Sequence, residues 1–372
     1  MRVLHLEAGK NLYGGAGQAL TLTRGLARRD IASALVCPPD SEIAAVGRAQ
    51  GLEVIAVPMS GDLDLGFIGR FRRVIDQLNP DLVHVHSRRG ADTLGGLAAR
   101  MAGVPAVLSR RVDSADPPVV GALKYRLYRR VVAISVAIRK QLTISGVPDT
   151  ALGLVRDAVD ADAFPPAWSL RRFRHEFGLA DTDSAVAVVA QLIERKGHRH
   201  LFKALTQIHL NVPDLKVILF GSGPLEKQLK KEVEHFGLQN VVRFAGFRAD
   251  LRAFLAHFQL LIHPALREGL GLCLLEAQAA GVPVVGFRSG GVVEAIADGA
   301  TGVLVRAGDT MALADAVGTL LNDSDRRHQL AAAGPGWVRK EFGVERMVQG
   351  YVDIYSQVLN GISERDTVDD GA

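Results

Sequence analysis

Short apolar runs separated by helical patterns recur along the whole chain, and this constrains the fold more than any other feature. In the first half, VLHL (3–6), ASALVC (32–37), LEVIAV (52–57), DLVHVH (81–86), PAVLS (105–109) and RVVAI (130–134) read as strands, with a first helix from about Gln18 to Arg29. After a turn-rich stretch, GLVRDAVDADAFPPAW, and a short basic helix, LRRFRHEFGL, the pattern starts again. AVAVVA (185–190), LKVILF (215–220), VVRFAG (241–246), QLLIH (259–263), PVVGF (283–287) and GVLV (302–305) are the strands of the second series. Apolar strands alternating with helices at this spacing build a parallel sheet covered on both faces.

Two such series in 372 residues predict two domains. The expected fold class is α/β, with two Rossmann-like parallel sheets whose ligand edges, at the strand C-termini, border a cleft between them. The boundary is expected near 160–167, giving an N-terminal domain over 1–163 and a C-terminal domain over 164–344. A last helix, about 345–360, follows a break at Phe342-Gly343 and is free to pack back on the first domain. The polar tail, 361–372, is expected to be disordered.

Composition narrows the class. A hydrophobic content of 48% and 39 glycines exclude a disordered chain. No signal-peptide core and no apolar run of membrane-spanning length is present, so a cytoplasmic location is expected. Cys37 and Cys273 are far apart and lie in apolar runs, which suits buried thiols rather than metal ligands. Charge is uneven: residues 1–160 hold 21 Lys+Arg and 15 Asp+Glu, whereas the remainder holds 23 and 25. The basic clusters are Arg70, Arg72 and Arg73; Arg88 and Arg89; Arg110 and Arg111; and KYRLYRR, 124–130. Together they point to an anionic partner of the first half, a membrane surface or an acidic acceptor. No nucleic-acid motif accompanies the charge, so nucleic acid is not an expected partner.

Chemistry concentrates in HPALREGLGLCLLEAQAAGVPVV, 263–285. Glu268 sits on a glycine-rich loop at the end of a strand, and Glu276 about one turn into the helix that starts at Leu272. Gly271 precedes that helix, whose free N–H groups and positive dipole end suit a phosphate. Carboxylates on either side cannot hold the phosphate, because like charges repel, but they accept hydrogen bonds from hydroxyls. Phosphate flanked by hydroxyls describes a sugar nucleotide. Other strand ends agree. GGAG (14–17) lets backbone at Gly14 and Gly15 approach a phosphate. ERKGH (194–198) places Arg195 and Lys196 before a helix, where they can neutralise a diphosphate. FGSGP (220–224), FAGF (244–247) and GG (290–291) follow later strands.

ERKG, FGSGP, FAGF, REGLGLCLLEAQAAGVPVV, GG and TGVLV together resemble the nucleotide-binding domain of the family 4 retaining glycosyltransferases. The resemblance covers nearly all of 185–305, and its paired-glutamate stretch is specific; YGGAG and DLVHVH extend it more loosely to the first half. It implies the GT-B fold, two facing Rossmann-like domains. It further implies that Glu276 holds the ribose hydroxyls and that Glu268 contacts the donor sugar near the reacting carbon. Lys196 would bind the diphosphate, helped by backbone N–H groups of Gly15 and Leu272, with Gly221, Gly223 and Phe247 lining the base pocket. Two positions depart from the family pattern. Ala190-Gln191 stands where Gly-Arg is frequent, leaving Arg195 as the candidate substitute cation. SRRVDS, with Arg110 and Arg111, stands where many members carry a histidine near the sugar, leaving His86 as the candidate imidazole.

The expected reaction is transfer of a sugar from a nucleoside diphosphate sugar, UDP or GDP type, to an acceptor hydroxyl with retention. The leaving phosphate oxygen takes the acceptor proton on the same face; Glu268 as covalent nucleophile is the alternative. The donor is a substrate and no cofactor is expected. A metal is not expected, because the Asp-x-Asp patterns at 62–64, 160–162 and 181–183 lie in turns away from the strand ends. The acceptor class expected is an envelope glycan or glycolipid at the inner face of the cytoplasmic membrane, with VVGALKYRLYRR (119–130) as a helix able to lie on anionic lipid. The competing reading is an inactive nucleotide-sugar-binding protein of the same fold. A nicotinamide oxidoreductase is disfavoured by the lack of spaced glycines.

Overall fold

A computed structural model describes residues 1–369 except Tyr13, Arg88, Arg89 and Ala115, with backbone alone for Pro118 and 362–369. The chain divides into two units, Met1–Ala158 with Val344–Ala372, and Val159–Gly343. The first boundary therefore falls at 158/159, before the DADAFPPAW turns rather than within them.

Seven parallel strands form the sheet of the first unit: β1 (Arg2–Leu6), β2 (Ala32–Cys37), β3 (Glu53–Ala56), β4 (Leu82–Val85), β5 (Ala106–Arg110), β6 (Arg130–Ala133) and β7 (Leu152–Leu154). Their order is β3-β2-β1-β4-β5-β6-β7. The second unit has six: β8 (Ser184–Val189), β9 (Leu215–Phe220), β10 (Val242–Gly246), β11 (Leu260–His263), β12 (Val284–Phe287) and β13 (Gly302–Val305), in the order β10-β9-β8-β11-β12-β13. In each sheet the first strand pairs with the fourth of its series, β1 with β4 and β8 with β11. Loops leaving such a pair diverge to opposite sides and open a crevice at the strand C-termini. Both units thus present a topological switch point, and the chemically rich loops emerge there.

Three departures from the expectations have local causes. β7 is only three residues long, LGL, too short to leave a periodic signal. The helix expected over 119–130 spans Pro118–Tyr125, because Arg130 already begins β6. The last helix runs from Val344 to Asp369, past the expected end at Asn360. No proline interrupts 361–369, and Gly361 alone costs about 1 kcal/mol of helix propensity. Residues 370–372 lie outside the described residues.

That last helix belongs to the first unit. Val344, Met347, Val348, Tyr351 and Tyr355 bury one stripe against Val3, Leu22, Leu26, Leu82, Val107 and Val132. Spacings of three, four, seven and eleven residues put these side chains on one face. Gly25 in the helix Gly14–Ala27 has no room for a Cβ, because Val348 occupies the space.

Candidate active site

The second unit builds its site across the β8/β11 switch point. Lys196 lies on the short turn after β8, Glu268 on the loop after β11, and their side chains form a buried ion pair. His263, the last residue of β11, brings Nε2 to 2.8 Å from the same Glu268 oxygen, Oε2. The N–H of Gly269 donates to Oε1 at 3.0 Å. Burial opposes ionisation of Glu268, but the His263 hydrogen bond and the Lys196 ammonium outweigh it and hold the carboxyl well below the usual carboxylate range. Burial lowers the pKa of His263 too, so it is neutral at pH 7. The fitting tautomer carries its proton on Nε2 and turns the Nδ1 lone pair toward Cys273 Sγ, 3.7 Å away. Burial pushes the Cys273 thiol up to about 12, which makes it a protonated donor and no nucleophile.

Backbone contacts lock these loops together. Leu266 N–H donates to Arg195 O at 2.9 Å, and Arg195 Nη1 donates to Arg267 O at 3.1 Å. Gly291 N–H donates to Glu268 O at 2.9 Å, and Ser289 Oγ to Ala265 O at 2.6 Å. Cβ atoms at Gly290 and Gly291 would overlap the carbonyl oxygens of Glu268 and Gly269, so only glycine lets the 290–291 turn close over this loop. The glutamate is therefore held by a preorganised frame.

Next to it, the helix Leu272–Ala279 begins after Gly271, with no side-chain cap and no acidic residue in its first turn. Its N–H groups and dipole remain available to an anion. Glu276 projects from this helix and is half-buried against Arg252, whose Nε and Nη2 both donate to Oε1, at 3.0 and 2.8 Å. Gly221 and Gly223 have a structural reason for being glycine: a Cβ at either would strike the carbonyl of Ala190 or Leu192. Gln191 and Phe247 are exposed.

The first unit places a different cluster at its β1/β4 switch point. His5 and His84 are register partners, and His86 lies two residues on, so the three imidazoles share one sheet face. Arg111 Nη1 donates to His86 Nδ1 at 3.3 Å; His86 Nε2 and His5 Nδ1 are 2.9 Å apart. His84 reaches Tyr355 OH at 2.6 Å and Ser109 Oγ at 2.8 Å. Burial holds His5 down to about 3 and pushes His84 and His86 well below the usual range. The imidazole nitrogens come within 4.8 Å of one another, close enough for a metal. The surroundings oppose one: His86 meets a guanidinium where a metal-ligating imidazole needs an acceptor. His86 is thus a buried part of a hydrogen-bonded network. Arg111 also pairs with buried Asp157, Nε to Oδ1 at 3.0 Å, and its Cδ lies 3.5 Å from where a Cβ on Gly15 would be. Gly14 and Gly15 open the helix Gly14–Ala27.

Several cations assigned above to an anionic surface are paired with carboxylates of this chain, two of them, Lys124 and Arg110, in buried positions. Lys124 pairs with Asp92 and Asp116, Arg110 Nη2 lies 3.6 Å from Asp116, and Arg70 pairs with Asp64 at 2.6 Å. Arg72, Arg73, Arg126 and Arg129 remain exposed, while Arg88 and Arg89 lie outside the described residues. Each Asp-x-Asp pattern likewise has an arginine: Asp64 with Arg70, Asp162 with Arg339 and Asp181 with Arg174.

Sequence reasoning missed Arg252, His263 and the imidazole network. Arg252 left no signal, since one arginine in a polar turn has no pattern. HVH at 84–86 was the visible trace of the network.

Comparison with known proteins supplies the family. Residues 171–337 match the glycosyl transferases group 1, and residues 14–155 the glycosyl transferase 4-like domain. A GDP-mannose-dependent alpha-(1-6)-phosphatidylinositol monomannoside mannosyltransferase of Mycolicibacterium smegmatis is 36% identical over 200 residues, 51% of this chain and 52% of that one. The match thus spans about half the length of that relative. N-acetyl-alpha-D-glucosaminyl L-malate synthase of Bacillus anthracis is 26% identical over 305 residues, 80% of each chain. The fold is that of Anabaena Alr3699/HepE, solved in complex with UDP and glucose, with a TM-score of 0.85 at 21% identity, covering 96% of this chain and 100% of that one. With both halves matched, and with the paired glutamates on a Rossmann-like sheet in the second, the chain belongs to the family 4 glycosyltransferases of the GT-B fold.

Proposed function

We propose that this chain transfers a sugar from a nucleoside diphosphate sugar, UDP or GDP type, to an acceptor hydroxyl with retention of configuration. The observation that carries the reading is the joining of an ionised, caged Glu268 and a half-buried Glu276 to one uncapped helix N-terminus. In this reading the diphosphate lies on the N–H groups at Leu272 and draws on Lys196, while Glu276 takes ribose hydroxyls. Gly221, Gly223 and Phe247 border the base. The C1–O bond to the diphosphate breaks as the acceptor oxygen bonds to C1, and the acceptor proton passes to the departing phosphate oxygen. Glu268 stabilises the positive charge on the sugar. A covalent role suits it poorly, because Lys196, His263 and Gly269 N–H already occupy its two oxygens. Arg195 braces the loops after β8 and β11, and His86 braces Arg111.

Nucleotide binding tests the core of this reading. UDP, GDP or one of their sugar conjugates should raise the melting temperature of the wild-type protein, and Glu276→Ala should shrink the rise at the same nucleotide concentration. No rise with any of them would sink the reading.

The acceptor we propose is a glycan or glycolipid presented at an anionic membrane face on the cytoplasmic side. The helix Pro118–Tyr125 turns Lys124 and Tyr125 inward and leaves Val119, Val120 and Leu123 at 84%, 58% and 71% exposure. Exposed Arg126 and Arg129 follow. Apolar side chains beside exposed cations suit an interfacial contact. No helix among the described residues is long and apolar enough to cross a membrane. The protein should float with anionic vesicles at low salt and less at high salt, and Val120→Ser with Leu123→Ser should weaken flotation. Salt-independent absence from the vesicle fraction would remove the membrane contact.

A further inference from the structure

We infer that Arg252 is the positioning residue that sets the ribose-binding geometry of Glu276; the inference rests on the nucleotide-sugar reading above. Arg252 lies on the short turn Leu251–Ala253 that follows β10, and Glu276 on the helix that follows β11, so the two meet only through the fold. Both guanidinium donors converge on one oxygen, Oε1. A carboxylate oxygen has two lone pairs, and here both are taken. Among the described residues no donor reaches Oε2, which is therefore the oxygen presented to a sugar hydroxyl. Arg252 is itself held from behind by Phe164, whose ring centroid lies 5.5 Å from the guanidinium carbon. A half-exposed glutamate would otherwise sample many rotamers, and anchoring one oxygen removes that freedom before ligand arrives.

Charge makes the same residue necessary. Lys196 is neutralised by Glu268, and Gln191 is neutral where the family frequently has arginine. Glu276 alone would repel a neighbouring diphosphate. Paired with Arg252, it offers an oxygen to a hydroxyl without a net negative charge beside the phosphates.

The test is titration calorimetry of UDP, GDP and their 2′-deoxy counterparts into the full chain, with tryptophan-fluorescence melts to check folding. For the accepted base, the wild type should prefer the ribonucleotide about tenfold, one lost hydroxyl contact. Glu276→Ala should remove the preference. Arg252→Met should bring it within about threefold, and Arg252→Lys, which keeps the charge and one donor, should restore part of it. A merely structural Arg252 would weaken ribo- and deoxynucleotide alike and leave their ratio unchanged. An unchanged ratio in folded Arg252→Met, with the preference lost in Glu276→Ala, overturns the inference alone. Wild-type protein that binds no nucleotide overturns the nucleotide-sugar reading and the inference with it, whereas binding without ribose preference overturns the inference alone.

Discussion

Glu268→Gln is expected to lower sugar transfer about 10²–10³-fold, the usual cost of removing one preorganised electrostatic group that acts on the transition state. Nucleoside diphosphate affinity should move only a few fold, because the proposed role of Glu268 is at the sugar rather than the phosphates. Glutamine is the informative replacement. It keeps an acceptor oxygen for Lys196 and His263, whereas Glu268→Ala leaves the buried ammonium without a partner. Stranding one member of a buried ion pair costs about 3–5 kcal/mol, so the alanine variant would confuse folding with chemistry. Both tryptophans, Trp168 and Trp337, lie in the unit that contains the site, so an unchanged fluorescence melt certifies the fold. The assay is transfer, or slow donor hydrolysis, at saturating donor. A glutamine variant with wild-type turnover would falsify the assigned role.

Acidification should destabilise the protein well before its carboxylates titrate. Burial lowers the pKa of His5, His84 and His86 in the first unit, and of His198 and His263 in the second. For His5 the folded value is about 3, against about 6.5 for an unfolded histidine. Between those values the unfolded chain binds a proton that the folded chain refuses. Stability from this group is therefore complete above about pH 6.5 and falls as the pH drops toward 3. Each imidazole that stays neutral contributes a slope of roughly 1.4 kcal/mol per pH unit in that window. Three in one network make the first unit the more acid-sensitive of the two. Urea titration at pH 7.5 and 5.5 checks this, with far-UV circular dichroism following both units and tryptophan fluorescence the second. The dichroism midpoint should fall more than the fluorescence midpoint. Equal midpoints at the two pH values would mean that the imidazoles accept protons in the folded state.

Twelve of the thirteen strands among the described residues were legible as apolar runs, because a strand buried on both faces needs an uninterrupted apolar sequence. Glu268, Glu276 and Lys196 of the candidate site stand out in the sequence as single residues, because glycine-flanked strand ends are where a parallel sheet can receive a ligand. Their partners were not. Lys196 and Glu268 are 72 residues apart and meet because β8 pairs with β11. Glu276 and Arg252 meet from two different strand ends, and Arg111 finds Asp157 across 46 residues. The basic clusters misled for the same reason: a run such as KYRLYRR carries charge but does not say which cation faces inward, and Lys124 does.

Local pattern, then, determined the α/β class, the two series of strands and the loops that bear the chemistry, because periodicity and glycine placement act within a few residues. Tertiary structure decided which charges neutralise one another, which imidazoles are kept neutral and which glutamate oxygen is left open. Those outcomes depend on distances between strands that are neighbours in the sheet and strangers in the chain, and on the loss of water around them.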